Sequence, residues 1–191
     1  DLINVLRNPF SLTPGFTGAE QPKGDKPVFD EVLQSWIAPF VMASINTKNI
    51  HRSNALLGHA YGTDFVYDEM LVTGPGERGE AVAKAVTDDN SMATDPTQPG
   101  EVPSLEERVN GNYDVLLIGE AADGRSVRVS VQGDMDPGYG STSKMIAESA
   151  VCLVKNPELA GGGIWTTAPA MGSALIERLE ANAGLTFVVE S

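Results

Sequence analysis

The chain is poor in cysteine and histidine and has no long apolar run, and each shortage excludes a class of protein. Its one cysteine, Cys152, cannot form an internal disulfide, which fits a reducing compartment, so we expect a cytoplasmic protein. No apolar run approaches the ~20 residues that a membrane-spanning helix needs, so we expect no transmembrane segment. The two histidines, His51 and His59, lie outside any HExxH or CxxC pattern, and we therefore expect no metal site.

Basic residues are also scarce. The chain holds 13 lysines and arginines against 26 aspartates and glutamates, a formal net charge of −13. Such a charge repels the phosphates of nucleic acids and anionic membrane surfaces. We therefore expect an acidic, solvated surface and no nucleic-acid partner.

Length and apolar content suit one ordinary core. The chain has 191 residues, of which 41% are hydrophobic. Prolines spaced among glycines over residues 1–27 forbid long helices, so we predict an irregular arm there and a single α+β domain over 28–191. The chain begins at Asp1, without methionine or a charged-then-apolar leader, so we expect a region cut from a longer protein, without a signal peptide.

Apolar spacing predicts most of the helices and strands. From Val28 to Ile45 the spacing is helical, which predicts two helices separated at Pro39, and Gly58 is predicted to close the second. An interior strand is predicted over 64–73, which is rich in aromatic and β-branched residues.

Patterns in the C-terminal part predict two more helices and a strand. Helices are predicted over 141–155 and from Pro169 to Gly184, followed by a strand over 185–189, and the polar run 88–104 is predicted to be an exposed loop. Because the strands do not alternate regularly with helices, the predicted class is α+β, with a mixed, mostly antiparallel sheet covered by helices.

A hairpin is predicted around Asp123-Gly124, a dipeptide that favours a two-residue type I′ turn. In that register Leu116 would pair with Val131, and Ile118 with Val129, on a buried apolar face. The opposite face would then show Val115 and Leu117 among polar residues. An exposed apolar patch of this kind tends to be a contact surface, so we expect a homodimer.

The most informative segment runs from 134 to 150, where a strand end meets a helix start through a glycine-rich turn. Unpaired N–H groups in the first turn of a helix favour a carboxylate or phosphate. The alternative is a plain tight turn with Ser141 or Thr142 as the helix cap. The candidate substrate-binding residues here are Gly138, Tyr139, Gly140, Ser141 and Thr142.

Two further patterns bear on ligands. Residues 74–79 spell GxGxxG, but Pro75, Glu77 and Arg78 suit a pyrophosphate poorly, and the second strand with its acidic residue is missing, so we predict no cofactor site in this chain. Asn49 and Arg52 share one face of a predicted helix and are candidate substrate contacts, since arginine suits carboxylates and phosphates. A solvated helix face is the alternative reading.

Three blocks, at residues 46–57, 134–150 and 161–172, resemble the saccharopine dehydrogenase-like oxidoreductases, specifically the trans-acting enoyl reductase branch. The resemblance covers nearly the whole chain but only the C-terminal half of the family's pattern. Members begin with a dinucleotide-binding Rossmann domain, and that half is missing here. The resemblance implies a helix-covered sheet domain that contacts substrate and often dimerises.

The implied function is therefore that of the C-terminal substrate-binding and dimerisation domain of an NAD(P)-dependent oxidoreductase, with a small-molecule substrate. The cofactor would bind the Rossmann domain of the full-length protein, and the region alone would be inert. The alternative is a non-catalytic module, for ligand binding or dimerisation, that kept the fold without the chemistry. No catalytic residue is identified by the sequence.

Overall fold

The computed structural model describes residues 5, 7–89, 101–158 and 161–190. Its contacts divide the chain into two compact units, Asp1–Pro96 and Thr97–Ser191. Such a grouping does not test independent folding, so the predicted arm over 1–27 and single domain over 28–191 stay predictions. Helices and two small antiparallel sheets make the fold class α+β, as predicted.

The elements of the first unit are β1 (Val28–Asp30), β2 (Ser35–Pro39), α1 (Ala43–Leu56), β3 (Met70–Gly74) and α2 (Gly76–Asp88). The three strands form an antiparallel sheet in the order β1-β2-β3. Helix α2 packs on this sheet, and Ala38 of β2 and Ala83 of α2 are fully buried.

The helix predicted from Val28 to Pro39 is wrong, because this stretch forms the β1–β2 hairpin. The Asp30 carboxylate accepts the backbone N–H of Val32 at 2.9 Å and of Leu33 at 2.8 Å, which closes a tight turn. Gln34 then takes a positive φ of 50°. The turn aligns Phe29 with Trp36, whose rings meet edge to face at 5.9 Å. Local side-chain hydrogen bonding therefore overrides the helical spacing.

The strand predicted over 64–73 is shorter in the structure. Gln21 explains the difference, since its amide donates to the Phe65 carbonyl at 3.1 Å and accepts the Tyr67 N–H at 3.0 Å. Backbone groups of this stretch thus bond to the Gln21 side chain, and β3 begins only at Met70. Val72 is 59% exposed, so β3 is not an interior strand.

The elements of the second unit are α3 (Leu105–Asn110), β4 (Tyr113–Glu120), β5 (Ser126–Gly133), α4 (Gly140–Lys155), α5 (Thr167–Asn182) and β6 (Leu185–Glu190). The three strands form another antiparallel sheet, in the order β4-β5-β6. The core of this unit is formed by buried side chains of α4, α5 and β6, with Cys152 completely buried among them. Helices α4 and α5 and strand β6 match the sequence predictions.

Helix α5 is interrupted at Gly172, which has φ 50° and ψ −134°. Ala170 and Met171 before the kink, and Leu175 and Leu179 after it, all join the same core. The kink therefore lets two short helical segments bury their side chains in one place.

The predicted hairpin exists, but its predicted register is wrong by one residue. Val115 pairs with Val131 and Leu117 with Val129. The Ala121 N–H donates to the Arg125 carbonyl and the Gly124 N–H to the Ala121 carbonyl, with Gly124 at φ 84°. This is a three-residue loop with a left-handed glycine, and its extra residue shifts the register.

The corrected register puts apolar residues of all three strands on one face. At one end of this face Val131 and Phe187 pack against the core. The rest of this face, which we call the open valine face, remains accessible: Val115 is 48% exposed, Leu117 46% and Val189 71%. The open valine face consists of Val115, Leu117, Val127, Val129 and Val189.

Two other expectations concern an exposed loop and a membrane-spanning helix. The loop predicted over 88–104 falls largely on residues 90–100, outside the described residues. None of the helices in the described ranges is long and apolar enough to cross a membrane.

Candidate functional site

In the turn before α4, a carboxylate of the same turn accepts the backbone N–H groups. The Asp136 carboxylate accepts the backbone N–H groups of Gly138 and Tyr139 at 3.0 Å each, and also that of Gly140. The hydrogen bond from Tyr139 is the largest of the effects that hold the pKa of Asp136 below its usual value. The donors expected to bind a ligand are therefore already engaged by a side chain of the same turn.

The hydroxyl residues of this turn also have partners within the fold. Ser141 is completely buried, with its Oγ 2.9 Å from the Tyr113 hydroxyl. Thr142 donates from Oγ1 to the Pro137 carbonyl at 2.6 Å. Tyr139 is 48% exposed, and Thr142 is exposed as well. Of the five candidates at this turn, Tyr139 is the one whose side chain is best placed to meet a ligand.

Gly140 has a packing reason to be glycine. A Cβ at this position would lie 2.8 Å from the carbonyl oxygen of Arg108 and 2.6 Å from Asp136 Oδ2. Because real Cβ atoms essentially never approach this closely, the close approach of the chain requires a residue without a side chain. The glycine-rich pattern thus serves the turn's own packing.

The glycines of the GxGxxG pattern do lie between a strand and a helix, since β3 ends at Gly74 and α2 begins at Gly76. However, β3 runs antiparallel to β2, whereas a dinucleotide-binding unit needs parallel strands. Pro75 has no N–H to donate, and Glu77 adds a negative charge to the first turn of α2. These residues do not fit a dinucleotide.

Asn49 and Arg52 lie one turn apart on α1, as predicted, but only Arg52 lines a cavity. Asn49 is exposed and donates to the Ile45 carbonyl at 3.2 Å. Arg52 donates from Nη1 to the Leu12 carbonyl at 3.2 Å. Arg52 belongs to the first unit and Tyr139 to the second. The roles of both residues as substrate contacts remain predictions.

The cavity beside Arg52 has a volume of about 260 Å³. It lies between residues of the N-terminal arm and the C-terminal end of α1, and we call it the arm cavity. Its walls are Thr13, Pro14, Phe16, Arg52, Ala55, Leu56 and His59.

Sequence reasoning missed the part that the histidines play beside this cavity. The ring centroids of Phe16 and His59 are 4.1 Å apart. His51 is only 3% exposed, and its ring centroid lies 4.5 Å from that of Phe10 and 5.8 Å from that of Phe65. The aromatic residues around them come from distant parts of the chain, so local spacing carried no signal.

We predict that His51 makes the first unit sensitive to mild acid. Its Nε2 is buried without a hydrogen-bond partner among the described residues, and burial lowers the pKa of His51 below the ordinary value of 6.5. As the pH falls, His51 is therefore protonated in the unfolded chain before it is protonated in the folded one. The contribution of the neutral His51 to the free energy of unfolding is full above pH 6.5 and decreases as the pH drops below that value. The slope for one proton is at most about 1.4 kcal/mol per pH unit.

Urea unfolding between about pH 8 and pH 5 measures this slope, because the ordinary pKa of histidine, about 6.5, lies within that range. Fluorescence of Trp36 in a Trp165→Phe background reports on the first unit, because these are the chain's two tryptophans. His51→Phe should flatten the dependence of the unfolding free energy on pH. An unchanged slope in His51→Phe would contradict the assignment.

Comparison with known proteins finds mycobacterial relatives over most of the chain. It is 31% identical over 209 residues to a Mycobacterium tuberculosis protein provisionally named a trans-acting enoyl reductase, covering 95% of this chain and 50% of that protein. It is 28% identical to a trans-acting enoyl reductase of Mycobacterium bovis, covering 92% of the chain and 48% of the relative.

A trans-acting enoyl reductase of Mycobacterium ulcerans is 27% identical, with 94% of the chain and 49% of the relative covered. The chain thus spans about half the length of the curated relatives it matches. No protein-family model matches the chain, and no solved structure matches it significantly.

Proposed function

Since the chain corresponds to the C-terminal half of a trans-acting enoyl reductase-like protein, we propose that it is the substrate-binding and dimerisation half of an NAD(P)-dependent reductase of the saccharopine dehydrogenase-like group. By itself it is catalytically inert. The substrate is a small molecule with an enoyl group, and the unpaired, buried Cys152 suits a reducing cytoplasm.

One observation carries this proposal: the chain matches about half the length of each reductase. The glycine-rich turn at 74–79, which does not fit a dinucleotide, agrees with it. A division of labour follows, in which the other half holds the nicotinamide and this half orients the acceptor. Arg52 and Tyr139 are the proposed substrate contacts, since a guanidinium fork binds oxyanions and a phenol can donate or accept a hydrogen bond.

We predict that the chain alone neither binds nor oxidises NADH or NADPH. Calorimetric titration should give a dissociation constant weaker than ~10 μM, which corresponds to roughly 7 kcal/mol. Joined as one chain to the N-terminal half that its relatives carry, it should oxidise the reduced nicotinamide when an enoyl thioester is added. Tight binding of either nucleotide to the chain alone would contradict the division of labour.

The joined protein also tests the two side chains. Arg52→Ala and Tyr139→Phe should raise KM or lower kcat, with a melting temperature within a few degrees of the original. Lys84→Ala removes an exposed cation elsewhere in the first unit, where it pairs with Glu80, and should leave the kinetics unchanged. Original kinetics in both test variants would remove Arg52 and Tyr139 from the site.

We also propose that the open valine face mediates a homodimer, because an accessible apolar face of this kind marks a contact surface. Light scattering should give about twice the chain mass of 20.2 kDa. Leu117→Lys should yield monomers, whereas Leu116→Lys, on the opposite and more polar face of β4, should not. A monomeric original protein across micromolar concentrations would contradict the dimer.

A non-catalytic module is the second candidate, and the turn before α4 favours it. The donors of that turn are engaged by Asp136, and Ser141 is buried against Tyr113. A joined protein that dimerises but reduces no enoyl thioester would support this candidate.

A further inference from the structure

We propose that the arm cavity binds a small molecule that carries an oxyanion, either a carboxylate or a phosphate, next to a flat apolar group. The proposal deepens the proposed function, on which it rests only for identifying that molecule as the reductase's substrate. The binding itself concerns the first unit alone.

The cavity walls offer one cationic and one aromatic surface. Arg52 contributes the guanidinium, whose Nη1 donates to the Leu12 carbonyl at 3.2 Å. A guanidinium has five N–H donors in a plane, which matches the geometry of a carboxylate or phosphate. The chain's net charge of −13 repels anions in general, so binding of an anion here depends on this local cation.

The aromatic wall is held in place by rings behind it. The ring centroid of Phe16 lies 4.1 Å from that of His59 and 6.0 Å from that of Phe10, in a T-shaped arrangement with Phe10, which is 6% exposed. An aromatic ring fixed in this way provides a flat apolar surface at little entropic cost. A ligand with a planar apolar group beside its oxyanion therefore matches both surfaces of the cavity.

His59 is held in a backbone conformation that folding alone does not favour. Its φ is 62°, in the left-handed region, where glycine is far easier to accommodate. Its Nδ1 is buried without a hydrogen-bond partner among the residues that the structure describes. Non-glycine residues in this region persist where the surroundings enforce them, and they concentrate at ligand sites.

Asn54 is the residue that enforces this conformation. It is 2% exposed, donates from Nδ2 to the Gly62 carbonyl at 2.8 Å and accepts the Tyr61 N–H at 2.9 Å. The His59 N–H in turn donates to the Asn54 carbonyl at 2.8 Å. A buried amide thus clamps the loop that presents His59 to the cavity, so the site is organised before any ligand arrives.

The test is a titration of the 191-residue chain, followed by NMR signals of the Phe16 and His59 rings and the Arg52 side chain. Benzoate and phenyl phosphate carry both features, acetate and inorganic phosphate carry only the oxyanion, and benzyl alcohol carries only the ring. The ring-bearing anions should bind saturably, at least ~10-fold more tightly than benzyl alcohol. The stronger of the two identifies the oxyanion.

Variants separate the cavity from general electrostatics. Arg52→Gln should weaken benzoate binding about tenfold, and Arg52→Lys, which keeps the charge but not the fork, should fall between. Lys48→Gln removes the same charge one turn away on α1 and should leave the affinity within about twofold of the original. His59→Asn retains a residue that tolerates the left-handed backbone and should weaken binding several-fold.

Absence of saturable shifts in the original protein with every anion would overturn the proposal, and this result needs no variant to fold. Equal weakening by Lys48→Gln and Arg52→Gln would also overturn it. Saturable binding without any reductase activity of the joined protein would support the binding site and contradict only the proposed function. Reductase activity without binding to the cavity would support the proposed function and contradict the binding site.

Discussion

Gly79→Ala should lower the free energy of unfolding of the first unit by about 3 kcal/mol or more, at the upper end of the range for overpacking. The added Cβ would lie 1.9 Å from the carbonyl oxygen of Gly74 and 2.5 Å from its carbonyl carbon. Both are backbone atoms, so no side-chain rotation relieves the clash. Helix α2 would have to move away from β3.

That movement would disturb contacts on both sides of the helix. The Thr73 hydroxyl lies 2.9 Å from the Gly79 carbonyl and 3.0 Å from the Trp36 carbonyl, so it ties α2 to β2. Ala38 and Ala83 are completely buried between the same elements. A shift of α2 therefore opens the sheet–helix interface along with the local clash.

The test is whether Gly79→Ala lowers or raises the free energy of unfolding, because helix propensity alone would raise it. An alanine in the middle of an exposed helix is favoured over glycine by about 1 kcal/mol. Urea unfolding followed by Trp36 fluorescence should show destabilisation, and Gly162→Ala, where no heavy atom lies within 4 Å, should change stability little. A more stable Gly79→Ala variant would show that the backbone of Gly79 in α2 lies farther from Gly74 at the end of β3 than these distances imply.

The second large effect is expected at Asn54. Asn54→Ala should lower the free energy of unfolding of the first unit by about 2–3 kcal/mol, because it leaves the Tyr61 N–H and the Gly62 carbonyl without the partners shown here. The loop should also release His59, so benzoate binding to the arm cavity should fall together with stability.

Asn46→Ala provides the matched control. Asn46 lies on the same helix and donates to Glu69 at 2.9 Å in a half-buried position. Its loss should cost less than about 1 kcal/mol and leave the cavity unchanged. If Asn54→Ala unfolds no more readily than Asn46→Ala, the clamp on the loop is not a stabilising feature.

The success of sequence reasoning depended on whether the signals were local. Helix α1 ends at Leu56, close to the expected Gly58, whose φ of 67° suits a residue past a helix end. Helix α5 ends just before Gly184 in the same way, at φ 71°. In these places the residue that stops the helix also stands beside it in the chain.

The misses came from single side chains that redirect the backbone. Asp30 turned a helical apolar pattern into a hairpin, and Gly124 lengthened a turn by one residue and thereby exchanged the two faces of β4. Both residue types were visible, but their hydrogen bonds were not. A one-residue change in a turn was enough to reassign Val115 and Leu117 to the apolar face.

The candidate site shows the same division. Asp136 stands two residues before Gly138, at a spacing typical of a side chain that caps its own turn, so its role was open to prediction. The arm cavity could not be predicted from the sequence, because Phe16 and His59 come into contact only after the arm folds onto α1. Position in the sequence gives no measure of that contact.

Gly172 and Gly79 are required for opposite reasons, and chirality separates them. Nothing lies within 4 Å of a Cβ added at Gly172, so space does not require glycine there. Its φ of 50° and ψ of −134° are instead close to the mirror image of the polyproline II conformation, about −75° and +145°. The kink in α5 is therefore a torsional requirement that a D-amino acid meets and an L-amino acid does not, whereas at Gly79 the obstacle is the neighbouring strand itself.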